Sequence, residues 1–316
     1  MSDLDPAVLE WLMQGDPAIR WQVMRDLLDA PEVEWQSERM KTAIEGWGSA
    51  FLSYQAEDGI WGGGVYSPKW VSSTYTLLGL VEIGLPQDQP SARRGVEIIL
   101  DHFFGLPGDP KFKHHLERLD LCLVGMALEL GTYFQLSDLR LDALPAYVLQ
   151  TQMADGGWNC RLGREKGVHH SSFHTTMNVL EGIRQVLEIG GNSLAAELRI
   201  AEVRALDLLL QHRLFRSSRT GEIISEKFLH FSYPDRWFYN IYRALDYFQR
   251  AGAESDKRLE EAVEILQSKR SKEGTWPVQY RHPGLRYFDM EKTGQPSRWN
   301  TLRVLRILNW WEGRRN

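Results

Sequence analysis

The sequence feature that most constrains the fold is a short phrase that occurs three times: an acidic residue, glycine, one variable residue and tryptophan. The tryptophans of the three copies are Trp61, Trp158 and Trp276, at intervals of 97 and 118 residues. Each interval accommodates two units of about 50–60 residues, a period typical of repeat architectures. The glycine allows a left-handed turn after a helix, and the indole ring can pack over that turn. The phrase therefore predicts a repeat protein in which these residues are structural.

Apolar residues recur with helical spacing along most of the chain, and no alternation typical of a β-strand persists. One set of segments is apolar around most of its circumference, which predicts helices buried on nearly all sides. The other set carries charged residues and is expected to lie outside. The first set is 16–30, 71–84, 117–134, 173–189, 235–251 and 297–312, and the second is 5–14, 32–54, 90–104, 136–152, 193–213 and 255–269.

These segments predict an all-α fold, an (α/α)6 toroid in which six helical hairpins form an inner and an outer ring. Length alone favours two domains in a chain of 316 residues. The regular alternation of the two sets instead predicts a single α/α-toroid domain over residues 1–316. The helix near 5–14 is expected to close the ring against the C-terminal hairpin.

Composition limits the classes of partner and the expected location. The net charge is −5, so no excess of basic residues points to nucleic acid or to an anionic membrane surface. Two cysteines cannot form a disulfide framework and favour a reducing compartment. The first residues lack the features of a signal peptide, and no apolar stretch reaches the roughly 18–20 residues of a transmembrane helix. We therefore expect a cytoplasmic protein that acts on a small molecule; the sequence specifies no partner subunit.

When the six buried segments are aligned, one position near the start of each helix carries residues of different chemistry. Because the inner helices of a ring meet water only around its central cavity, this layer is expected to line that cavity. One turn deeper, at i+4, arginine occurs three times. The upper series is Trp21, Ser72, Asp120, His174, Tyr239 and Trp299, and the deeper arginines are Arg25, Arg243 and Arg303.

Three residues, Asp120, Cys122 and His174, are candidate ligands of a zinc ion. Zinc accepts carboxylate, thiolate and imidazole, and a catalytic site leaves its fourth position to water or substrate. Residues i and i+2 of a regular helix point in different directions, so Asp120 and Cys122 can share an ion only if Asp120 is the N-cap. The positive helix end would then lower the pKa of the Cys122 thiol.

Each of these residues also has a structural interpretation. Cys122 is a candidate for a small buried apolar residue, and His174 for a hydrogen-bonded core histidine. Cys160, in a predicted loop, is either an alternative ligand or a bystander.

The deep arginines predict a binding site for an anion. If Arg25, Arg243 and Arg303 face the cavity, they form a cationic wall suited to phosphate, diphosphate or carboxylate. Because a buried guanidinium group is costly without a partner, one alternative is that acids such as Asp26, Asp246 or Glu312 pair with them. The other is that the helical register differs by one residue.

Further substrate contacts are expected from aromatic residues and one histidine. Aromatic faces can hold a hydrophobic chain or shield a cation, although the same side chains can simply pack. A histidine just before the fourth buried helix is expected to contact substrate, or else to be an exposed loop residue. The residues are Trp70, Phe173, Tyr239, Trp299 and His170.

The Gly–x–Trp phrases resemble the repeat motifs of squalene cyclases and their relatives, over roughly residues 16–312. The segment 156–183, with its aromatic-His-Thr run at the start of a helix, is similar to the zinc-histidine segment of the protein prenyltransferase β-subunit. Asp120-Leu121-Cys122 stands where that family has its Asp-x-Cys ligand pair. The resemblance implies an α/α toroid with Zn²⁺ held by Asp120, Cys122 and His174.

The chain also departs from both families. It has neither the protonating Asp-x-Asp-Asp motif of squalene cyclases nor Asp-rich magnesium motifs. His114, His115 and Arg118 precede Asp120, but without the spacing of the basic residues that hold diphosphate in prenyltransferases.

The leading hypothesis is a zinc-dependent enzyme, a prenyltransferase-like transferase or a cyclase, that takes a hydrophobic or anionic substrate into the cavity. A prenyl diphosphate and a thiol-bearing compound are the candidate substrates. The alternatives are a terpene cyclase-like enzyme without the protonating Asp motif and a non-catalytic toroid that binds a ligand.

Overall fold

The computed structural model describes residues 5–162 and 164–313. Within these ranges the regular structure is almost wholly helical, with fourteen α-helices and one pair of two-residue strands. The predicted all-α class is therefore confirmed. None of the helices in the described ranges combines the length and the apolar character needed to cross a membrane.

The helices follow one another with short connections. They are α1 (Pro6–Met13), α2 (Pro17–Asp26), α3 (Glu32–Met40), α4 (Gly46–Ser53), α5 (Ser73–Glu82), α6 (Pro90–Phe104), α7 (Phe112–Arg118), α8 (Leu121–Tyr133), α9 (Leu139–Gln150), α10 (Phe173–Ile189), α11 (Ala195–Gln211), α12 (Ile241–Arg250), α13 (Glu260–Ser268) and α14 (Arg298–Gly313). The strands β1 (Trp276–Pro277) and β2 (Pro296–Ser297) pair antiparallel, with Trp276 opposite Ser297.

Two predicted helices are interrupted in the structure. The segment predicted as 32–54 forms α3 and α4, and Gly46, the first residue of α4, adopts a left-handed conformation (φ 63°). The segment predicted as 117–134 contains the end of α7 and all of α8, since Leu119 is extended between them. By contrast, α10 has the predicted bounds.

The described residues divide into two compact units. The first contains the residues up to Ser53, Glu82–Pro86 and those from Leu210 onward, and the second contains Tyr54–Val81 and Gln87–Leu209. That the whole chain forms one toroid domain remains a prediction.

In the first unit, α14 packs against α2 and α12, and α1 contacts both α2 and α14. The Arg298 side chain joins α14 to α1. Its Nε donates to the carbonyl oxygen of Trp11 at 2.8 Å, and its guanidinium group lies 4.6 Å from the centre of the Trp11 ring.

In the second unit, α8 and α10 pack at close range because glycines lie at their interface. A Cβ atom on Gly125 of α8 would lie 2.5 Å from the carbonyl oxygen of Asn178 in α10. A Cβ atom on Gly182 of α10 would lie 2.5 Å from the carbonyl oxygen of Gly125. This close packing fixes the two helices relative to each other, and with them the groups at their N-terminal ends.

The three repeated tryptophans have one structural role. Each ring is fully buried, and each backbone N–H donates to a hydroxyl oxygen in the first turns of the helix that follows. The pairs are Trp61 with Ser73, Trp158 with Thr176 and Trp276 with Thr301, each at 3.0 Å. The indole N–H groups of Trp158 and Trp276 also donate to the helix that precedes them, at Val148 and Leu266. All three tryptophans are thus buried at a turn and bonded to the helix that follows, and Trp158 and Trp276 also join it to the preceding helix, so the predicted structural role is confirmed.

Candidate functional site

Asp120 is the N-cap of α8, with extended backbone angles (φ −66°, ψ 130°), and Cys122 is the second residue of the helix. This is the arrangement that sequence reasoning required if the two side chains are to share one ion. Within the described residues, the Asp120 carboxylate accepts no capping hydrogen bond from the first turn of the helix. The carboxylate is therefore available to another partner.

Asp120 and Cys122 converge with a third residue, Cys160. A carboxylate oxygen of Asp120 and the sulfur atoms of Cys122 and Cys160 all lie within 4.8 Å of one another. All three side chains are half-buried, between the interior and solvent. We call these three residues the Asp–Cys–Cys cluster.

Two elements place the sulfur of Cys160. The backbone N–H of Cys122, in the first turn of α8, donates to Cys160 Sγ at 3.4 Å. The hydroxyl group of Thr175, in the first turn of α10, donates to the same sulfur at 3.2 Å. The close packing of α8 and α10 therefore brings two hydrogen-bond donors to one thiol.

The pKa values of the two thiols are shifted in opposite directions, and the thiol with the lowered pKa is Cys160 and not, as predicted, Cys122. The pKa of Cys160 is lowered to about 7, because it accepts hydrogen bonds from the Cys122 thiol, from Thr175 and from the Cys122 backbone, which together outweigh burial. The pKa of Cys122 is raised, because its thiol donates to Cys160, is buried and lies near Asp120. The prediction that the helix end makes Cys122 the acidic thiol is thus wrong: the backbone N–H of Leu123 does lower the pKa of Cys122, but its hydrogen bond to Cys160, its burial and the nearby Asp120 outweigh that effect.

An arginine orients the carboxylate of the cluster. Arg164 Nη1 contacts Asp120 Oδ1 at 2.5 Å, and Arg164 Nη2 donates to the carbonyl oxygen of Arg118. The two side chains are about equally exposed, at 42% for Asp120 and 39% for Arg164. Carboxylates that bind a metal are usually oriented by hydrogen bonds of this kind.

His174, the third ligand that the sequence predicts, lies outside the Asp–Cys–Cys cluster. It is the second residue of α10, and its carbonyl oxygen accepts a hydrogen bond from Asn178 Nδ2 at 2.6 Å. Consecutive helical residues point about 100° apart, and it is the next residue, Thr175, that reaches Cys160. The third member of the group is therefore Cys160, which the sequence left open as an alternative.

Lys69 and three aromatic rings flank the cluster. The Lys69 ammonium group lies 4.8 Å from the ring centre of Tyr66, 5.5 Å from that of Trp70 and 5.8 Å from that of Tyr75. Burial lowers the pKa of Lys69, whereas the nearby Cys122 and Asp120 oppose that effect. Burial likewise raises the pKa of Tyr66 to about 12. Trp70 was predicted as a substrate contact, but sequence reasoning missed Lys69 and Tyr66, which lie in the loop before α5, and Tyr75, which lies in the first turn of α5.

Two other predicted substrate contacts, Phe173 and His170, lie at or just before the start of α10. Phe173 is half-buried as its first residue. His170 is an exposed loop histidine whose carbonyl oxygen accepts a hydrogen bond from Asn159 Nδ2 at 2.8 Å. Of the two interpretations of His170, a substrate contact or an exposed loop residue, the structure agrees with the second.

The deep arginines meet carboxylates of the chain itself. Arg303 is buried and contacts Asp235 at 2.6 Å and Asp246 at 3.3 Å. Arg25 pairs with Asp26 at 2.5 Å, and its side chain is 41% exposed. For Arg25 and Arg303 the structure thus contains the carboxylate pairing that the sequence left as the alternative to an anion site.

Arg243 donates to a backbone carbonyl and also influences a carboxylate. Its Nη1 donates to the carbonyl oxygen of Phe238 at 2.7 Å. Its charge, together with that of Arg303, lowers the pKa of the buried Asp235.

The two remaining predicted aromatic contacts lie in the first unit. Tyr239 is buried, and its hydroxyl group donates to the carbonyl oxygen of Leu214 at 2.7 Å. Trp299 stacks on Tyr233 with ring centres 4.8 Å apart and an angle of 19°. Trp47 lies 6.3 Å from both rings of that stack.

A carboxyl group that sequence reasoning missed lies beside this stack. Glu291 Oε1 accepts the backbone N–H of Trp299 at 3.1 Å, and burial raises the pKa of Glu291 to about 7. Within the described part of the chain, two buried donors nearby have no hydrogen-bond partner, the hydroxyl group of Tyr233 and the indole N–H of Trp299. We call these three residues the Glu291 cluster. No local pattern marks Glu291, since it lies in a loop before β2.

No family model matches the chain, and no curated protein matches it. Among solved structures, the chain is similar to the apo form of the type II terpene cyclase MstE from Scytonema, with 15% sequence identity and a TM-score of 0.43. The match covers 93% of this chain and 88% of that one.

Proposed function

We propose that the protein is a zinc-dependent enzyme whose metal ligands are Asp120, Cys122 and Cys160. The observation that carries this proposal is the convergence of their three ligand atoms within 4.8 Å of one another. Tetrahedral zinc, with bonds of about 2.3 Å to sulfur and about 2.0–2.2 Å to oxygen, separates its ligand atoms by about 3.5–3.8 Å. Small side-chain rotations would therefore bring all three to one ion.

The donor set also fits zinc chemically. Zinc takes thiolate and carboxylate ligands, and three protein ligands leave one position for substrate, as in catalytic sites. Zinc bound there would supply a nucleophile by holding a substrate thiol or a water molecule in its deprotonated form.

The residues around the cluster support specific roles. Arg164 holds the carboxylate of Asp120, while Thr175 and the N–H group of Cys122 hold the sulfur of Cys160. Lys69 provides a positive charge beside these ligands, and the rings that surround it provide apolar surface. This environment favours a substrate with an anionic group and a hydrophobic part, such as a prenyl diphosphate, and hence a transferase that alkylates a thiol.

The metal assignment is tested by zinc content and zinc affinity. We expect stoichiometric zinc in the purified protein, and a loss of affinity of at least 100-fold in Cys160→Ser and Asp120→Asn, because outer-shell changes alone cost about 10–100-fold. Asp142→Asn, an exposed carboxylate on α9, is the matched control and should retain zinc. His174→Gln should lose less affinity than Cys160→Ser. Zinc retained by Cys160→Ser but lost by His174→Gln would contradict this ligand set.

The reaction is tested by supplying a prenyl diphosphate with a small thiol. Thioether formation by the zinc-loaded protein, abolished by Cys160→Ser and by chelation, is the expected result. Tight binding of the diphosphate without turnover would instead indicate a non-catalytic binding protein.

A second candidate function is that of a cyclase-like enzyme without zinc, and the Glu291 cluster favours it. A carboxyl group with a pKa of about 7 can donate a proton near neutral pH, and the rings of Trp299 and Tyr233 beside it can stabilise a cation. Such an enzyme would convert a prenyl substrate with no thiol present, and Glu291→Gln would abolish the product while Cys160→Ser would not. Product analysis of these two variants separates the two functions.

A further inference from the structure

The fold brings together the two cysteines of the chain. Cys122 and Cys160 are separated by 38 positions in the sequence, yet their sulfur atoms lie within 4.8 Å of each other. Both are free thiols and both are half-buried, so that small solutes can reach them. A pair of this kind is capable of a reaction that a single cysteine is not.

We propose that Cys122 and Cys160 form a reversible intramolecular disulfide, which makes this pair an oxidative modification site and a switch for metal binding. The disulfide itself depends only on the position of the two sulfur atoms. Its effect on zinc rests on the proposed function, since it would remove two of the three proposed ligands.

The surroundings of the two sulfur atoms allow them to close to the disulfide bond length of about 2.05 Å. Cys122 is fixed in the first turn of α8, whereas Cys160 lies in the loop between Trp158 and α10. The sulfur of Cys160 accepts hydrogen bonds from the Cys122 N–H at 3.4 Å and from the Thr175 hydroxyl group at 3.2 Å, and the Cys122 thiol is its third donor. The movement can therefore be confined to the loop.

The reaction balances with a peroxide as the oxidant. Hydrogen peroxide accepts two electrons from the two thiols, the O–O bond breaks and the S–S bond forms. The two oxygen atoms of the peroxide take up two protons and leave as two water molecules. In the metal-free protein these protons come from the two thiols. When both sulfur atoms are metal ligands, they come from solvent. A dithiol reductant reverses the reaction through a mixed disulfide. With the sulfur atoms joined, Asp120 alone remains as a ligand, so zinc would be released.

The experiment uses the full chain in two forms, zinc-loaded and treated with a chelator. Each is exposed to hydrogen peroxide and then alkylated, and the intact mass and the non-reduced peptide map are measured by mass spectrometry. We expect the loss of two hydrogen atoms and a cross-link between the peptides of Cys122 and Cys160, both reversed by dithiothreitol. A chromogenic chelator should detect the release of one zinc ion per chain as the cross-link forms. The control is Cys122→Ser, in which no internal cross-link is possible.

The possible failures of the two proposals give different results. Two free thiols after treatment, oxidation of each sulfur separately to a sulfinic acid, or cross-links only between chains would overturn the disulfide. If the cross-link forms in a protein that never binds zinc, the disulfide stands and the metal assignment fails. If zinc binds stoichiometrically but no internal cross-link forms, the metal assignment stands and the disulfide fails.

Discussion

The backbone N–H of Cys122 donates to the sulfur of Cys160 at 3.4 Å, so the first turn of α8 polarises a cysteine from a different segment of the chain. A helix N-terminus carries partial positive charge, which stabilises a thiolate held against it. Because the Cys122 thiol and the Thr175 hydroxyl group also donate to this sulfur, the pKa of Cys160 is lowered and Cys160 becomes the more acidic thiol of the pair.

This asymmetry predicts selective alkylation of the metal-free protein at neutral pH. Iodoacetamide should modify Cys160 first, since alkylation requires the thiolate and the pKa of Cys160 is lowered to about 7. Thr175→Val removes one donor to the sulfur and should slow the reaction. Peptide mapping after brief labelling measures the ratio of the two modified sites. Preferential modification of Cys122 would contradict this account of the pair.

The close packing of α8 and α10 predicts a large difference between two glycine substitutions. Gly125→Ala would place a Cβ atom 2.5 Å from the carbonyl oxygen of Asn178, which is backbone and cannot rotate away. We expect a loss of about 1–3 kcal/mol in the free energy of unfolding, together with weaker zinc binding because the N-terminal ends of α8 and α10 must shift.

The matched control is Gly79→Ala in α5, where a Cβ atom meets no other atom within 4 Å. Replacing a helical glycine with alanine should there stabilise the protein by about 0.5–1 kcal/mol. Denaturant unfolding of both variants measures the difference, and equal effects would show that the glycine contact between the helices is unimportant.

Two buried tyrosines of the first unit offer another matched pair. Tyr239→Phe removes a hydroxyl group that donates to the carbonyl oxygen of Leu214, and should cost about 0.5–1.5 kcal/mol. Tyr233→Phe removes a buried hydroxyl group that has no hydrogen-bond partner among the described residues, and should be neutral or stabilising. A cost for Tyr233→Phe as large as that for Tyr239→Phe would indicate that the Tyr233 hydroxyl group has a partner in solution, such as a bound water or ligand.

Sequence reasoning predicts the parts of this protein that depend on local chemistry. The repeated turns were recognisable because glycine and tryptophan recur at fixed spacing, and the position of Asp120 as N-cap followed from the preferences of helix ends. Cys160 was not placed, because the loop that carries it has no periodicity and its contacts come from two helices distant in the sequence. Whether His174 or its neighbour Thr175 faces the cluster depends on a rotation of α10 by one residue. The resemblance of the aromatic-His-Thr run to the zinc-histidine segment does not determine that rotation. The pKa of Glu291 depends on burial by residues far along the chain, so no local pattern marks it.

Removal of the buried Arg303 should be far more costly than removal of an exposed arginine. Arg303→Met would remove the guanidinium group that pairs with the buried Asp235, while Asp246 keeps its ion pair with Arg306, and should cost about 3–5 kcal/mol in the free energy of unfolding. Arg25→Met, at a side chain that is 41% exposed, should cost less than about 1 kcal/mol. Denaturant unfolding distinguishes these outcomes, and a loss below about 1 kcal/mol for Arg303→Met would contradict the structural role of this ion network.

Glu291 predicts a specific dependence of stability on pH. Its pKa is about 7 in the folded protein, against an ordinary value of 4.5, so between these pH values the folded state binds more protons than the unfolded state. The free energy of unfolding contributed by this group must therefore fall as the pH rises from about 4.5 to about 7, and then level off. Glu291→Gln keeps an oxygen that can accept the Trp299 N–H but cannot ionise, so it should remove this fall and be more stable than the wild type above pH 7. Denaturant unfolding across the pH range measures the effect, with the exposed Glu264→Gln as the control. Parallel profiles for the wild type and Glu291→Gln would show that burial does not raise this pKa, and would remove the acid on which the cyclase-like function depends.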